Sequence, residues 1–80
     1  MKVKSGKDEE ASLAKLNELF RDAMLQRLLE KKAGGWTGWN NEKYMRNYDG
    51  GLKERIIQNC LNGEWVDVAN LAMFAWNFEN

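Results

Sequence analysis

Apolar residues recur along this chain at helical rather than alternating spacing. From Leu13 they run in steps of three and four through Leu16, Phe20, Ala23, Met24 and Leu28, and Leu19, Leu25 and Leu29 widen the stripe. That is the pattern of an amphipathic helix. It predicts a first helix from about Glu9 to Lys32, with Asp8, Glu9 and Glu10 at the positive end of the helix dipole and Lys31 and Lys32 at the negative end. Gly34 or Gly35 stops it by a left-handed cap. About 24 residues give a rod of roughly 36 Å, longer than a globule of this size needs. The stripe therefore reads either as the core face of a bundle or as a face that also packs on a second copy.

The run Gly34-Gly-Trp-Thr-Gly-Trp-Asn-Asn41 breaks the pattern. Its glycines permit a tight backbone path, and Trp36 and Trp39 are the side chains expected to pin it to the helices. It lacks the Lys-Ser/Thr ending of a phosphate loop and follows no strand, so a structural corner is the better reading. Asn41 is placed to cap a short helix over Glu42–Tyr48, in which Tyr44, Met45 and Tyr48 have compatible spacing. Asp49-Gly50-Gly51 is a second breaker. Leu52 to Leu61 forms the next helix, with Leu52, Ile56, Ile57, Cys60 and Leu61 expected on its packed side and Cys60 read as a small buried apolar residue. Asn62-Gly63 ends it, and Asn62 is a candidate cap for the last helix, which starts near Glu64. In that helix Trp65, Val66, Val68, Ala69, Ala72, Met73 and Trp76 fill one broad half. Glu64, Asp67, Asn70 and Asn77 interleave with Leu71, Phe74 and Phe78 on the other. A helix apolar nearly all round is central in its bundle or lies at an interface.

These elements give an all-α fold: a small helical bundle with a long N-terminal helix, a Gly/Trp corner and a buried C-terminal helix. Residues 1–8 read as a flexible N-terminal segment and 9–80 as a single helical domain. Composition adds constraints. Eighty residues bury little core, yet four Trp, three Phe and two Tyr are present. The excess of rings points to a partner chain, with Trp39, Tyr44, Tyr48 and Trp76 as candidate interface residues. Twelve basic and twelve acidic residues give zero net charge, which argues against nucleic acid; Lys2, Lys4 and Lys7 are its only local support. Histidine is absent and Cys60 is the only cysteine, which excludes histidine bases, Cys/His zinc sites and internal disulfides. No stretch is a membrane span or a signal peptide, so the expected setting is cytoplasmic.

The residues with most chemical potential are Glu64 and Asp67, one helical turn apart. Two such carboxylates can share a divalent metal if another helix brings more oxygen ligands, and Glu54 is the acid best placed to join them. Acids in a first helical turn also simply favour the dipole. Lys53 and Arg55 flank Glu54 and are candidate phosphate contacts; equally, they fit a solvated helix face.

Met24-x-x-x-Leu28, then Gly34-Gly35-Trp36, then the run Glu64, Asp67, Val68, Ala69, Asn70 and Met73 resembles the MazG-like all-α nucleotide pyrophosphohydrolases, above all their small phage-encoded or prophage-encoded relatives. The resemblance covers roughly Met24 to Trp76. It implies Mg²⁺ held by Glu64 and Asp67 and attack of water on a nucleoside triphosphate. The family's second motif, Glu-Glu-x-x-Glu, has no counterpart: the preceding helix offers Glu54 alone, with Lys53 where an acid would stand. The expectation is therefore a small phage-type accessory protein, in the host cytoplasm if phage-encoded. It would act as a homo-oligomeric, non-catalytic interaction module with a possible protein partner. The alternative is a Mg²⁺-dependent nucleoside triphosphate pyrophosphohydrolase or nucleotide-binding protein with a reduced site.

Overall fold

A computed structural model describes residues 8–47 and 50–80. The expected mobile segment lies outside the described residues up to Lys7, as do Lys2, Lys4 and Tyr48. Four helices follow in order: α1 (Glu9–Ala33), α2 (Glu42–Asn47), α3 (Leu52–Leu61) and α4 (Trp65–Glu79). The all-α bundle is as the periodicity predicts.

Each boundary has a local cause. Asp8 caps α1 by accepting from the Ala11 N–H at 3.1 Å, satisfying one of the donors a helix start leaves open. At the other end the Trp36 N–H donates to the Lys31 carbonyl at 2.9 Å and the Gly35 N–H to Lys32 at 3.0 Å. With Gly35 at φ +95°, this is the left-handed Schellman ending. α3 ends the same way, through Glu64 N–H to Asn59 O at 2.9 Å and Gly63 N–H to Cys60 O at 3.0 Å. Asn41 caps α2 as expected, its Oδ1 accepting from the Tyr44 N–H at 3.0 Å. Asn62 does not cap α4. It is the C-cap of α3, and Glu64 stands at the N-cap of α4 without a side-chain hydrogen bond. The α3 ending consumes Asn62 before α4 begins.

The core is small. Met45 of α2, Leu52 of α3, and Leu71 and Phe74 of α4 are its buried apolar residues, ringed by Leu28, Trp36, Ile56, Ala75 and Phe78. α4 packs most extensively on α3 and next on α1. No residue of α1 is buried, so the expectation of a core stripe along the whole helix is corrected. A 25-residue α1 is about 37 Å long, and its hydrogen bonds and ion pairs to α4 are made from Met24, Arg27 and Lys31. The radius of gyration is 14.6 Å, against about 12 Å for a compact chain of this length.

Two further expectations are revised. On α3 the inward face is Leu52, Ile56 and Asn59, while Ile57, Cys60 and Leu61 are exposed. Cys60 is not a core residue. On α4 the buried residues are Asn70, Leu71 and Phe74, with Asp67 and Phe78 half-buried. Of the half expected to pack, Trp65, Met73 and Trp76 are exposed, while Val66, Val68 and Ala69 are half-buried.

The corner depends on Gly38. Its φ is +92°, and a Cβ there would lie 3.0 Å from the Tyr44 ring. Gly38→Ala should destabilise the fold by about 1–3 kcal/mol through backbone strain alone, measured by urea unfolding. A neutral result would show that the corner is free to rearrange.

Candidate functional site

Two features stand out on the surface where α1, the corner and α4 meet. The first is polar. Asp67, in the first turn of α4, points back to α1, where Arg27 Nε donates to its Oδ1 at 3.2 Å and Lys31 Nζ lies 3.9 Å away. One turn on, the Asn70 amide donates to the Met24 carbonyl at 3.1 Å, and its own Oδ1 is buried without a partner. Arg27 and Lys31 are one turn apart on α1, so a single carboxylate reaches both. The Asp67 hydrogen bond and charge raise the Arg27 pKa above its ordinary value. A raised guanidinium pKa adds stability that is lost only as pH climbs past it, far above neutrality. Alkaline buffers should therefore leave the Arg27–Asp67 pair intact.

Asp67→Asn should cost about 1–2 kcal/mol, because the carboxylate is largely buried while Arg27 is half exposed and screened. Thermal unfolding at low and high salt checks this. The loss should shrink with salt, and a variant as stable as the parent would show that the clamp contributes nothing.

The second feature is an apolar groove of about 380 Å³. Leu25, Leu28 and Leu29 of α1 form one wall, and Met73 and Phe74 of α4 another. Trp36 and Trp39 close the end, and Lys32 and Thr37 are its polar members. The tryptophans are held by Phe74. Trp39 stacks on it with ring centroids 5.9 Å apart, and Trp36 is tilted against it at 6.0 Å. Lys31 Nζ sits 5.2 Å from the Trp36 ring centroid, a cation–π contact on the outer face.

No family model, curated protein or solved structure matches this chain. The site is therefore read from its own geometry. Among the described residues, no three Asp, Glu or Cys side chains come together in a way that could hold a metal ion. Asp67 is engaged by Arg27 and Lys31, Glu54 accepts from Gln58 at 3.2 Å, and Glu64 is exposed at the N-cap of α4. Glu54, Glu64 and Asp67 do not make a donor set that fits Mg²⁺. Lys53 is exposed and lines a shallow cleft with Arg46, Gly50 and Gly51 at the start of α3, and Glu54 lines the same cleft. Arg55 is half-buried and does not line it.

Of the candidate interface rings, Trp39 and Tyr44 are about half exposed and Trp76 more so. Trp39 lines the groove, whereas Trp76 lies on the outward half of α4. Arg27 was not singled out by sequence reasoning, and Lys31 was read only as a cation at the negative end of the helix dipole. The available signal was two cations, one turn apart, interrupting the apolar side of the first helix. Among the described residues, no helix is long and apolar enough to cross a membrane.

Proposed function

We propose that this chain is a self-associating, non-catalytic helical interaction module. One observation carries the reading: among the described residues, a four-residue apolar core stands beside many exposed large apolar side chains, five of them on an α1 that has no fully buried residue. Exposed apolar surface on this scale marks interaction surface. A helix with so little support of its own gains stability by packing on something. The role of a small phage-type accessory protein of MazG-like descent belongs to the same proposal. It rests on the Gly34-Gly35-Trp36 corner and the Glu64–Met73 run. Sedimentation from low to high micromolar concentration tests the core of it. A rising mass supports self-association, and a monomer at every concentration defeats it.

A second reading, a nucleotide-binding or nucleoside triphosphate-cleaving protein with a reduced site, draws on the cleft where Arg46 and Lys53 flank the Gly50-Gly51 turn. It predicts pyrophosphate release with Mg²⁺, or nucleotide binding weakened by Lys53→Ala. Absence of both removes it.

A further inference from the structure

We infer that the groove between α1 and α4 is filled by the Leu13–Phe20 stripe of a second copy of this chain. The two α1 helices then lie antiparallel about a twofold axis close to Ala23. This deepens the self-association reading and rests on it.

The stripe is apolar and uncovered: Leu13, Leu16 and Phe20 are 65%, 47% and 36% exposed. It lies N-terminal to the groove on the same helix, because the groove's α1 wall is Leu25, Leu28 and Leu29. A twofold contact requires a self-complementary patch, in which residue i meets j and j meets i. A projecting stripe and a receiving groove on the two halves of one helix meet that condition. Antiparallel apposition seats each stripe in the other copy's groove, and both contacts form at once. Phe20 and Leu25, like Leu16 and Leu29, lie about 140° apart round the helix, so the two α1 helices cross at an angle about the axis near Ala23. Phe20 of one copy then passes near Leu25 of the other, Leu16 near Leu29 and Leu13 near the aliphatic stem of Lys32.

Charge selects the same orientation. The first turn of α1 carries Glu9 and Glu10, and its last turn Lys31 and Lys32. Antiparallel pairing sets the acids of one copy beside Lys32 of the other, while parallel pairing stacks acids on acids and bases on bases. The occupant is therefore a second α1 rather than a small apolar ligand.

The test is sedimentation equilibrium on the full chain. Phe20→Glu in the stripe and Leu29→Glu in the groove should each weaken dimerisation by about tenfold or more. Mixing these two variants should restore part of it, because one intact stripe then meets one intact groove. Lys32→Glu should weaken dimerisation about threefold to tenfold, and adding Glu9→Lys and Glu10→Lys should recover most of that loss. The charge variants leave the core untouched, so they decide the matter even if Phe20→Glu misfolds. Leu61→Glu, on the exposed end of α3, should have no effect. A dimer lost in Leu61→Glu but kept in Phe20→Glu and Leu29→Glu overturns this interface and leaves self-association standing. Failure of the charge reversal to recover binding overturns the antiparallel arrangement. A wild-type chain that stays monomeric overturns both.

Discussion

Phe74→Ala is expected to leave most of the chain unfolded in dilute solution. Phe74 is one of the four buried apolar residues of the core among the described residues, and it is also the surface on which Trp36 and Trp39 rest. Truncating a buried Phe costs about 3–5 kcal/mol, and each lost ring pair adds about 0.5–1.5 kcal/mol. At about 0.05–0.15 kcal/mol per residue, a chain of 80 residues has roughly 4–12 kcal/mol to lose. The substitution removes much or all of it. Releasing the corner also frees the chain between α1 and α2, so the damage should spread to Met45. Urea titration followed by circular dichroism measures this. A loss below about 1 kcal/mol would mean that the core is centred elsewhere.

The second large effect is expected in hydrogen exchange along α1. The segment Met24–Lys31 is tied to α4 by the Asp67 pairs and by the Asn70 bond to Met24. The first three turns, from Glu9 to about Phe20, are held by their own hydrogen bonds, the Asp8 cap and an exposed Lys15–Glu18 ion pair at 3.9 Å. An isolated helical stretch shorter than about 12–15 residues is marginal in water. In dilute protein the amides of these turns should therefore exchange at least about tenfold faster than those of Met24–Lys31. As concentration rises and the stripe is covered, the difference should narrow. Equal protection at all concentrations would indicate that the free half of α1 is supported within the monomer.

The sequence was most legible where backbone chemistry punctuates it. Gly50-Gly51 and Asn62-Gly63 bound α3 at Leu52–Leu61, as the spacing predicts, because positive-φ glycines can end a helix without help from tertiary structure. The Asp8–Glu10 start of α1 and the Asn41 cap of α2 are local in the same sense. What could not be read was orientation. α4 is apolar on every side, so periodicity could not say which half turns inward. That choice is made by Trp36 and Trp39 landing on Phe74, thirty-odd residues away in the chain. On α3, Asn59 takes an inward position expected of Cys60, because its amide satisfies itself on the Arg55 carbonyl at 2.8 Å. The candidate metal pair was judged from residues close in sequence, yet Asp67 is committed to Arg27 and Lys31 on the far side of the corner. A contact between distant helices leaves no local spacing to read.

The distribution of tryptophans makes the molecule its own two-channel optical probe. Trp36 and Trp39 sit against Phe74, while Trp65 and Trp76 lie on the outer half of α4. Emission from the first pair follows the integrity of the corner, and emission from the second follows solvent contact along α4. A soluble quencher should reach Trp65 and Trp76 first, the half-exposed Trp39 next and Trp36 last. Anything that docks on the outer face of α4 should dim the quencher's access while leaving the inner pair unchanged.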